Sequence, residues 1–346
     1  MRELFKGAAE DETFPLLGGQ VMLPRRFILD NAYLRYGDAA FVGGSLIEGI
    51  GNQYSDVDVH VITTDLLHER EIDSKQHYRV LSPDRSILNG LSPDRDVFLI
   101  HTLIPGTHMK VDIEYRTWRE VEKMAAAVRE TFDYAVRSLV LLTKYMGARD
   151  MAFIHRLFSS TSLAGDGSLD GLRESIGRSR FEYLMYRWKA SDFSVLLDVL
   201  GAWDEGDMFR CLDLARENMV TQFQAYTHLC GNTNYHRKWI ITYARRTGVE
   251  QTLLERYLEL LSSGGGSDGD SQRAYVLDTL DFVDEIFEAS QPRLASRSGY
   301  PSGMEACSAI DQALRSEAGD YSEMEVAYRK KAYGIRGKAT RDEFTS

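Results

Sequence analysis

Hydrophobic residues alternate with polar ones in the first third of the chain and fall at helical spacing in the rest. Val57-Asp58-Val59-His60-Val61-Ile62 sets a valine at every second position, the pattern of a strand with one face in a core. Ala39 to Val42 predicts a short strand ahead of it, and Asp96 to Leu103 and Met109 to Tyr115 predict two more. Pro105-Gly106, between the last two, predicts an antiparallel hairpin. Phe27 to Tyr36 reads as a helix stopped at Gly37. Residues 1–27 read as an irregular lead-in with a turn at Gly18-Gly19, and 65–79 as a polar interval.

From Trp118 onward the helical period takes over. Val121, Met124, Val128, Phe132, Val136, Leu139 and Leu142 recur at intervals of three and four, which predicts a helix over Glu120 to Met146. Leu169 to Trp188, Phe193 to Leu200, Met208 to Leu229, Val249 to Leu261 and Gln272 to Glu288 continue the pattern. Ser262 to Asp270 reads as a flexible linker, and a helical stretch from Met304 to Leu314 lies in a tail rich in Ser, Gly and charge. The expected fold class is α+β: a small mixed β-sheet domain over residues 1–117, then an α-helical bundle domain over 118–290. Residues 291–346 form a C-terminal extension.

The candidate chemistry sits in the strand region. Phe41-Val42-Gly43-Gly44-Ser45 is followed, after ten residues, by Asp56-Val57-Asp58-Val59. A Gly-Gly-Ser turn lets backbone amides approach a polyphosphate, and a helix begun at Ser45 to Gly49 would aim further amides at it. With period 2, Asp56 and Asp58 share one strand face while Val57, Val59 and Val61 face the core. Carboxylates between valines are costly unless a cation compensates them, so the pair reads as a divalent-metal site beside a phosphate site. The plainer alternative makes Asp56 a turn residue and Asp58 a solvated edge residue. Gly49 and Gly51 are expected to keep the intervening loop compact, and Asn52 and Ser55 to orient Asp56.

This arrangement resembles the nucleotidyltransferases of the DNA polymerase β-like superfamily over roughly residues 28–116. The resemblance implies that Gly43, Gly44 and Ser45 hold the β- and γ-phosphates of a nucleoside triphosphate. It makes Asp56, Asp58 and Asp112 (within Met109-Lys110-Val111-Asp112-Ile113-Glu114-Tyr115) the metal-binding and catalytic carboxylates. The implied reaction is attack of a hydroxyl on the α-phosphorus with loss of pyrophosphate, assisted by two Mg²⁺ ions. Glu114 shares the parity of Asp112 and stands as an alternative third ligand, with Asp112 then as general base. Lys110 and His60 lie on the same faces, with a surface lysine and a hydrogen-bonded core histidine as their ordinary readings.

In the helical part, Asn232 to Trp239 resembles the segment before a Lys-Trp pair in small-molecule, aminoglycoside-type nucleotidyltransferases. There a lysine approaches the triphosphate, so Lys238 is the expected cation, with Arg237 as a substitute. Arg180, Tyr183 and Arg187 share a helical side and are weaker candidates for lining an acceptor site. The expected function is transfer of a nucleoside monophosphate, most simply AMP from ATP, to a hydroxyl of an antibiotic or natural-product intermediate. Transfer to a protein or RNA end, and nucleotide binding without turnover, are the alternatives.

Charge narrows these choices. A formal net charge of −11 argues against wrapping long nucleic acid, and Arg329-Lys330-Lys331 and Arg245-Arg246 are too few to make an RNA track. No apolar run reaches the roughly 18 residues of a membrane span. The N-terminal residues lack a signal-peptide core. Cys211, Cys230 and Cys307 have no metal-ligand spacing, so a cytoplasmic protein with reduced thiols is expected. Acceptor identity and oligomeric state stay open at this level.

Overall fold

The computed structural model describes residues 12–83, 90–92, 96–138, 142, 144–190, 193–266, 268–297, 299–301, 303–316 and 323–345. The chain divides into two compact units, residues 1–128 with 149–178, and residues 129–148 with 179–346.

The first unit contains β1 (Thr13–Leu16), β2 (Val21–Pro24), α1 (Arg25–Asn31), β3 (Ala39–Gly43) and β4 (Val57–Thr63). It continues with β5 (Arg79–Leu81), β6 (Val97–Leu103), β7 (Lys110–Thr117) and the start of α2 (Trp118–Ala135). After the chain returns it adds α3 (Ala148–Ser159), β8 (Thr161–Ala164) and α4 (Asp166–Ile176). The six-stranded sheet has the order β5-β6-β7-β4-β3-β8. Every neighbouring pair is antiparallel except β4 and β7, which run parallel. This is the mixed sheet of an α+β fold, and the expected hairpin of β6 and β7 delivers β7 beside β4.

The valine alternation of β4 explains its depth. Val57, Val59 and Val61 enter one core with Val111, Ile113, Ala40, Val42 and Ile100. β1, β2 and α1 close that core with Phe14, Leu16, Leu23, Ile28 and Ala32. Burying side chains of this kind contributes about 1.5–3 kcal/mol each. The opposite sheet face carries Asp58, His60, Asp112, Glu114 and Arg116.

Several elements differ from the sequence expectation. Residues 13–24 form a hairpin around a 3-10 turn at Leu17–Gly19, because Phe14, Leu16 and Leu23 can be buried. Residues 1–11 of the expected lead-in lie outside the described residues. Helix α1 ends at Asn31, earlier than Tyr36, since Tyr33 takes a left-handed φ of 46° and bonds His77 Nε2 through its hydroxyl at 2.9 Å. The helix expected to Met146 ends at Ala135, with 139–141 and 143 outside the described residues. The segment 149–178, placed by the sequence within the helical domain of 118–290, belongs with the sheet: β8 pairs antiparallel with β3 after a register shift. The expected helix Leu169 to Trp188 is two helices, broken at Gly177 with φ +74°.

The second unit comprises α5 (Arg178–Ala190), α6 (Ser194–Asp204), α7 (Met208–Leu229), α8 (Ile240–Arg246), α9 (Gln251–Ser263) and α10 (Gly269–Ala295). It ends with α11 (Gly303–Ser316), α12 (Glu323–Lys331) and α13 (Asp342–Thr345). Helices α7 and α10 pack together around Met219, Phe223, Tyr226, Tyr257, Phe282 and Ile286, with Phe223 and Tyr257 stacked at 3.9 Å. Asp268 caps α10 by accepting from the Ser271 amide at 2.9 Å, which confines the glycine-rich linker to the few residues after Ser263. Arg187 and Tyr183 are fully buried. Arg187 donates to the carbonyls of Ala135 and Ser138, so it closes the end of α2. Among the described residues no helix is long and apolar enough to cross a membrane. Cys211 and Cys230 carry free thiols, which burial pushes up to about 11.

Candidate functional site

Strand register assembles the candidate residues into one row. Gly43 of β3 pairs with Asp58 of β4, Asp58 with Asp112 of β7, and Asp112 with His101 of β6. Asp56 lies just before β4, held by a turn in which the Tyr54 amide donates to Asn52 Oδ1 (2.9 Å) and the Asn52 amide to Ser55 Oγ (3.1 Å). The structure therefore brings Gly43, Gly44, Ser45, Asp56, Asp58 and Asp112 together in the first unit, in the roles of turn and carboxylate row.

The glycine turn and the first strand carboxylate touch. A Cβ built on Gly44 would lie 2.1 Å from Asp58 Oδ2, and Gly44 has φ +89°, so both space and backbone require glycine here. Among the described residues, the Gly44 and Ser45 amides donate no hydrogen bond, as an anion cradle needs. Residues 45–49 form turns, not the expected helix; the Ser45 carbonyl accepts from the amides of Ile50 (2.9 Å) and Gly51 (2.7 Å), which keeps the loop compact.

Electrostatics separate the carboxylates. Burial raises the Asp58 carboxyl to about 6; Arg156 opposes this, while Asp112, Glu114 and Asp56 add repulsion. Burial also raises Asp56, with the charge of Asp112 next and Lys110 and His101 opposing. Asp112 Oδ1 lies 2.7 Å from His101 Nδ1. The exposed ring of Tyr78 stands 5.8 Å from His101, at the far end of the row from Gly44.

Glu114 behaves differently. Its carboxylate accepts from Arg116 Nε at 2.7 Å and pairs with Arg149 Nη2 at 3.2 Å. Burial alone would raise it, but His60 and the two arginines outweigh burial and hold it at about 2. Burial keeps His60 itself neutral down to about 3, so at pH 7 the arginines carry that effect. Arg116, with a side chain 1% exposed, also bonds Asp150 Oδ1 at 2.5 Å. Glu114 is thus held in an ion-pair network with Arg116 and Arg149. His60 is a core histidine, stacked on Phe41 at 4.9 Å and edge-on to Phe153, but not the hydrogen-bonded one expected: among the described residues neither ring nitrogen has a hydrogen-bond partner.

Sequence reasoning missed α3. Arg149, Phe153 and Arg156 lie on one side of this helix, at i, i+4 and i+7, and meet Glu114, the His60 ring and Asp58 in turn. His155 meanwhile pairs with Glu48 of the loop after the glycine turn at 3.2 Å. The periodic placing of arginines around an aromatic was the available signal.

Lys238 belongs to the second unit. It is exposed on a 3-10 turn (Arg237–Trp239), its Nζ 5.3 Å from the centre of the Trp239 ring. Buried Asn232 and Asn234 fix the approach to that turn by accepting from the amides of Asn234 (2.8 Å) and His236 (2.9 Å).

Among the described residues no group of three or more His, Cys, Asp or Glu side chains is gathered into a ready cation cage. The donor set still suits a hard divalent ion: Asp56, Asp58 and Asp112 offer only oxygens, and their mutual repulsion is what a cation relieves. Mg²⁺ commonly takes one or two carboxylates together with substrate phosphates, so it requires no closed cage.

Neither a protein-family model nor a curated protein matches the chain. A solved structure of a nucleotidyltransferase-like protein from Exiguobacterium sibiricum 255-15 aligns with 84% of this chain and 86% of its own, at 11% identity and a TM-score of 0.39.

Proposed function

We propose that this protein is a Mg²⁺-dependent nucleotidyltransferase that moves a nucleoside monophosphate, most simply AMP from ATP, to a hydroxyl of a small molecule. The observation that carries the reading is the contact between Gly44 and Asp58: a glycine turn with unused amides lies directly against a half-buried carboxylate of an acidic row. Few purposes other than holding a polyanion beside a cation reward that arrangement.

In this reading the Gly44 and Ser45 amides and the Ser45 hydroxyl bind the β- and γ-phosphate oxygens. Asp56, Asp58 and Asp112 would hold Mg²⁺, which when bound neutralises phosphate charge and lowers the acidity barrier of the acceptor hydroxyl. His101 keeps the Asp112 carboxylate oriented through their 2.7 Å contact. The acceptor oxygen forms its bond to the α-phosphorus as the bond to the bridging oxygen breaks, and pyrophosphate leaves on the glycine-turn side. The proton of the acceptor passes to the carboxylate row or to solvent.

Pyrophosphate release from each ribonucleoside triphosphate with Mg²⁺, over a panel of hydroxylated acceptors including aminocyclitols, tests the proposal. The expected result is acceptor-dependent release, a product heavier by one nucleotide, and no turnover by Asp58→Asn. An Asp58→Asn variant with wild-type turnover would remove the carboxylate row from the mechanism. Failure of any triphosphate to bind with Mg²⁺ would remove the reading altogether.

A further inference from the structure

Arg116, Arg149 and Arg156 reach the charged face of the sheet, and they are not equivalent. Arg116 is held by Glu114 and Asp150, and Arg149 by Glu114, so both are committed to a network in which every partner is needed. Arg156 instead pairs with Asp58, its Nη2 3.0 Å from Oδ1, with the two side chains 26% and 22% exposed. Its stem crosses the glycine turn: a Cβ on Gly43 would lie 3.4 Å from Arg156 Cβ. The other oxygen of Asp58 faces Gly44. The guanidinium therefore sits at the junction of the anion cradle and the carboxylate row.

We propose that Arg156 is a phosphate-binding residue of this site, paired with Asp58 in the free protein and transferred to the triphosphate when a divalent ion takes Asp58. The proposal rests on the nucleotidyl-transfer reading above. Arg156 holds Oδ1 of Asp58 and Gly44 lies against Oδ2, so an ion that takes this carboxylate competes with Arg156 for Oδ1. Released, the planar fork lies beside the Gly43-Gly44 turn, where its donors match phosphate oxygens two at a time. The pairing also keeps the row partly neutralised until substrate and ion arrive together. Ion and triphosphate then bind cooperatively, because each removes the competitor of the other.

Two equilibrium measurements on the full chain test this: Mn²⁺ binding alone, followed by electron paramagnetic resonance, and binding of α,β-methylene-ATP in Mg²⁺. Wild type, Arg156→Ala and Arg156→Lys are compared, with thermal unfolding as the check on folding. In Arg156→Ala, Mn²⁺ alone should bind several-fold tighter while the analogue binds about tenfold weaker or worse, the loss expected for one charge-assisted contact. Arg156→Lys should keep the fold and recover part of the analogue affinity. Both affinities within about twofold of wild type in Arg156→Ala would overturn the proposal. So would a parallel loss of both affinities, which marks a purely structural ion pair. If wild type binds no analogue in Mg²⁺, the nucleotidyl-transfer reading fails first; an analogue bound equally by all three proteins leaves that reading intact and removes Arg156 alone.

Discussion

A methyl group at Gly44 would collide with Asp58 Oδ2 and would force a side chain into a φ of +89°. Gly44→Ala should therefore cost about 1–3 kcal/mol in urea unfolding and abolish nucleotide binding, since strain and loss of the cradle coincide. Asp58 supplies a second test. Its carboxyl is raised from 3.8 to about 6, so the folded state holds a proton that the unfolded chain has already released between those values. Stability should then fall as pH rises through that window, by about 2–3 kcal/mol when complete. Asp58→Asn lacks this titration, and should gain stability relative to wild type at pH 7.5 but not at pH 4. Parallel pH-dependence in the two proteins would refute the assignment. These residues were legible in the sequence because valine alternation and a glycine pair are local signals. The partner that occupies Asp58, Arg156, was not legible, since nearly a hundred residues separate them.

Among the elements, α3 decides the character of the sheet's second face. It brings Arg149, Asp150, Phe153 and Arg156 onto strands whose own residues there are charged. Arg116→Met should cost about 3–5 kcal/mol at pH 7, because it leaves Glu114 buried with one cation fewer. Glu114 is held at about 2 in the fold, so its pairing stabilises above the ordinary carboxylate range and is withdrawn as pH falls towards 2. The gap between Arg116→Met and wild type should accordingly narrow by pH 3, measured by chemical unfolding at both pH values. A constant gap would place the cost in packing against Phe153 instead. Helical spacing announced a helix only in general terms here. It could not say that this one joins the sheet, because β8, the strand that returns the chain to β3, is four residues long and carries no alternation strong enough to read.

At the scale of the whole chain there are separate cores, one around Val57, Val59, Val111 and Ile113 and another around Phe223, Tyr257, Phe282 and Ile286. Trp188, Trp203 and Trp239 lie in the second unit and Trp118 in the first. Urea unfolding followed by tryptophan fluorescence should therefore report chiefly the second unit, and hydrogen exchange in β3, β4 and β7 the first. A saturating Mg²⁺–triphosphate complex, at about a hundred times its dissociation constant, should protect the strands by about 2.7 kcal/mol. The fluorescence midpoint should move much less. Equal shifts in both probes would mean that the units unfold as one.

The sequence by itself determined the strand bearing Asp58, the glycine turn before it, the hairpin that carries Asp112, and most helices of the second unit. Each of these is written in near neighbours: a period of two or of three to four, or a turn residue between apolar runs. The tertiary structure decided what those residues meet. Pairing of β4 with β7 set Asp58 beside Asp112, and β6 added His101 to the row. The return of α3 and β8 to the sheet placed Glu114 between arginines and Arg156 on Asp58. Contacts between distant segments depend on which surfaces can be buried together, and no local period encodes that choice.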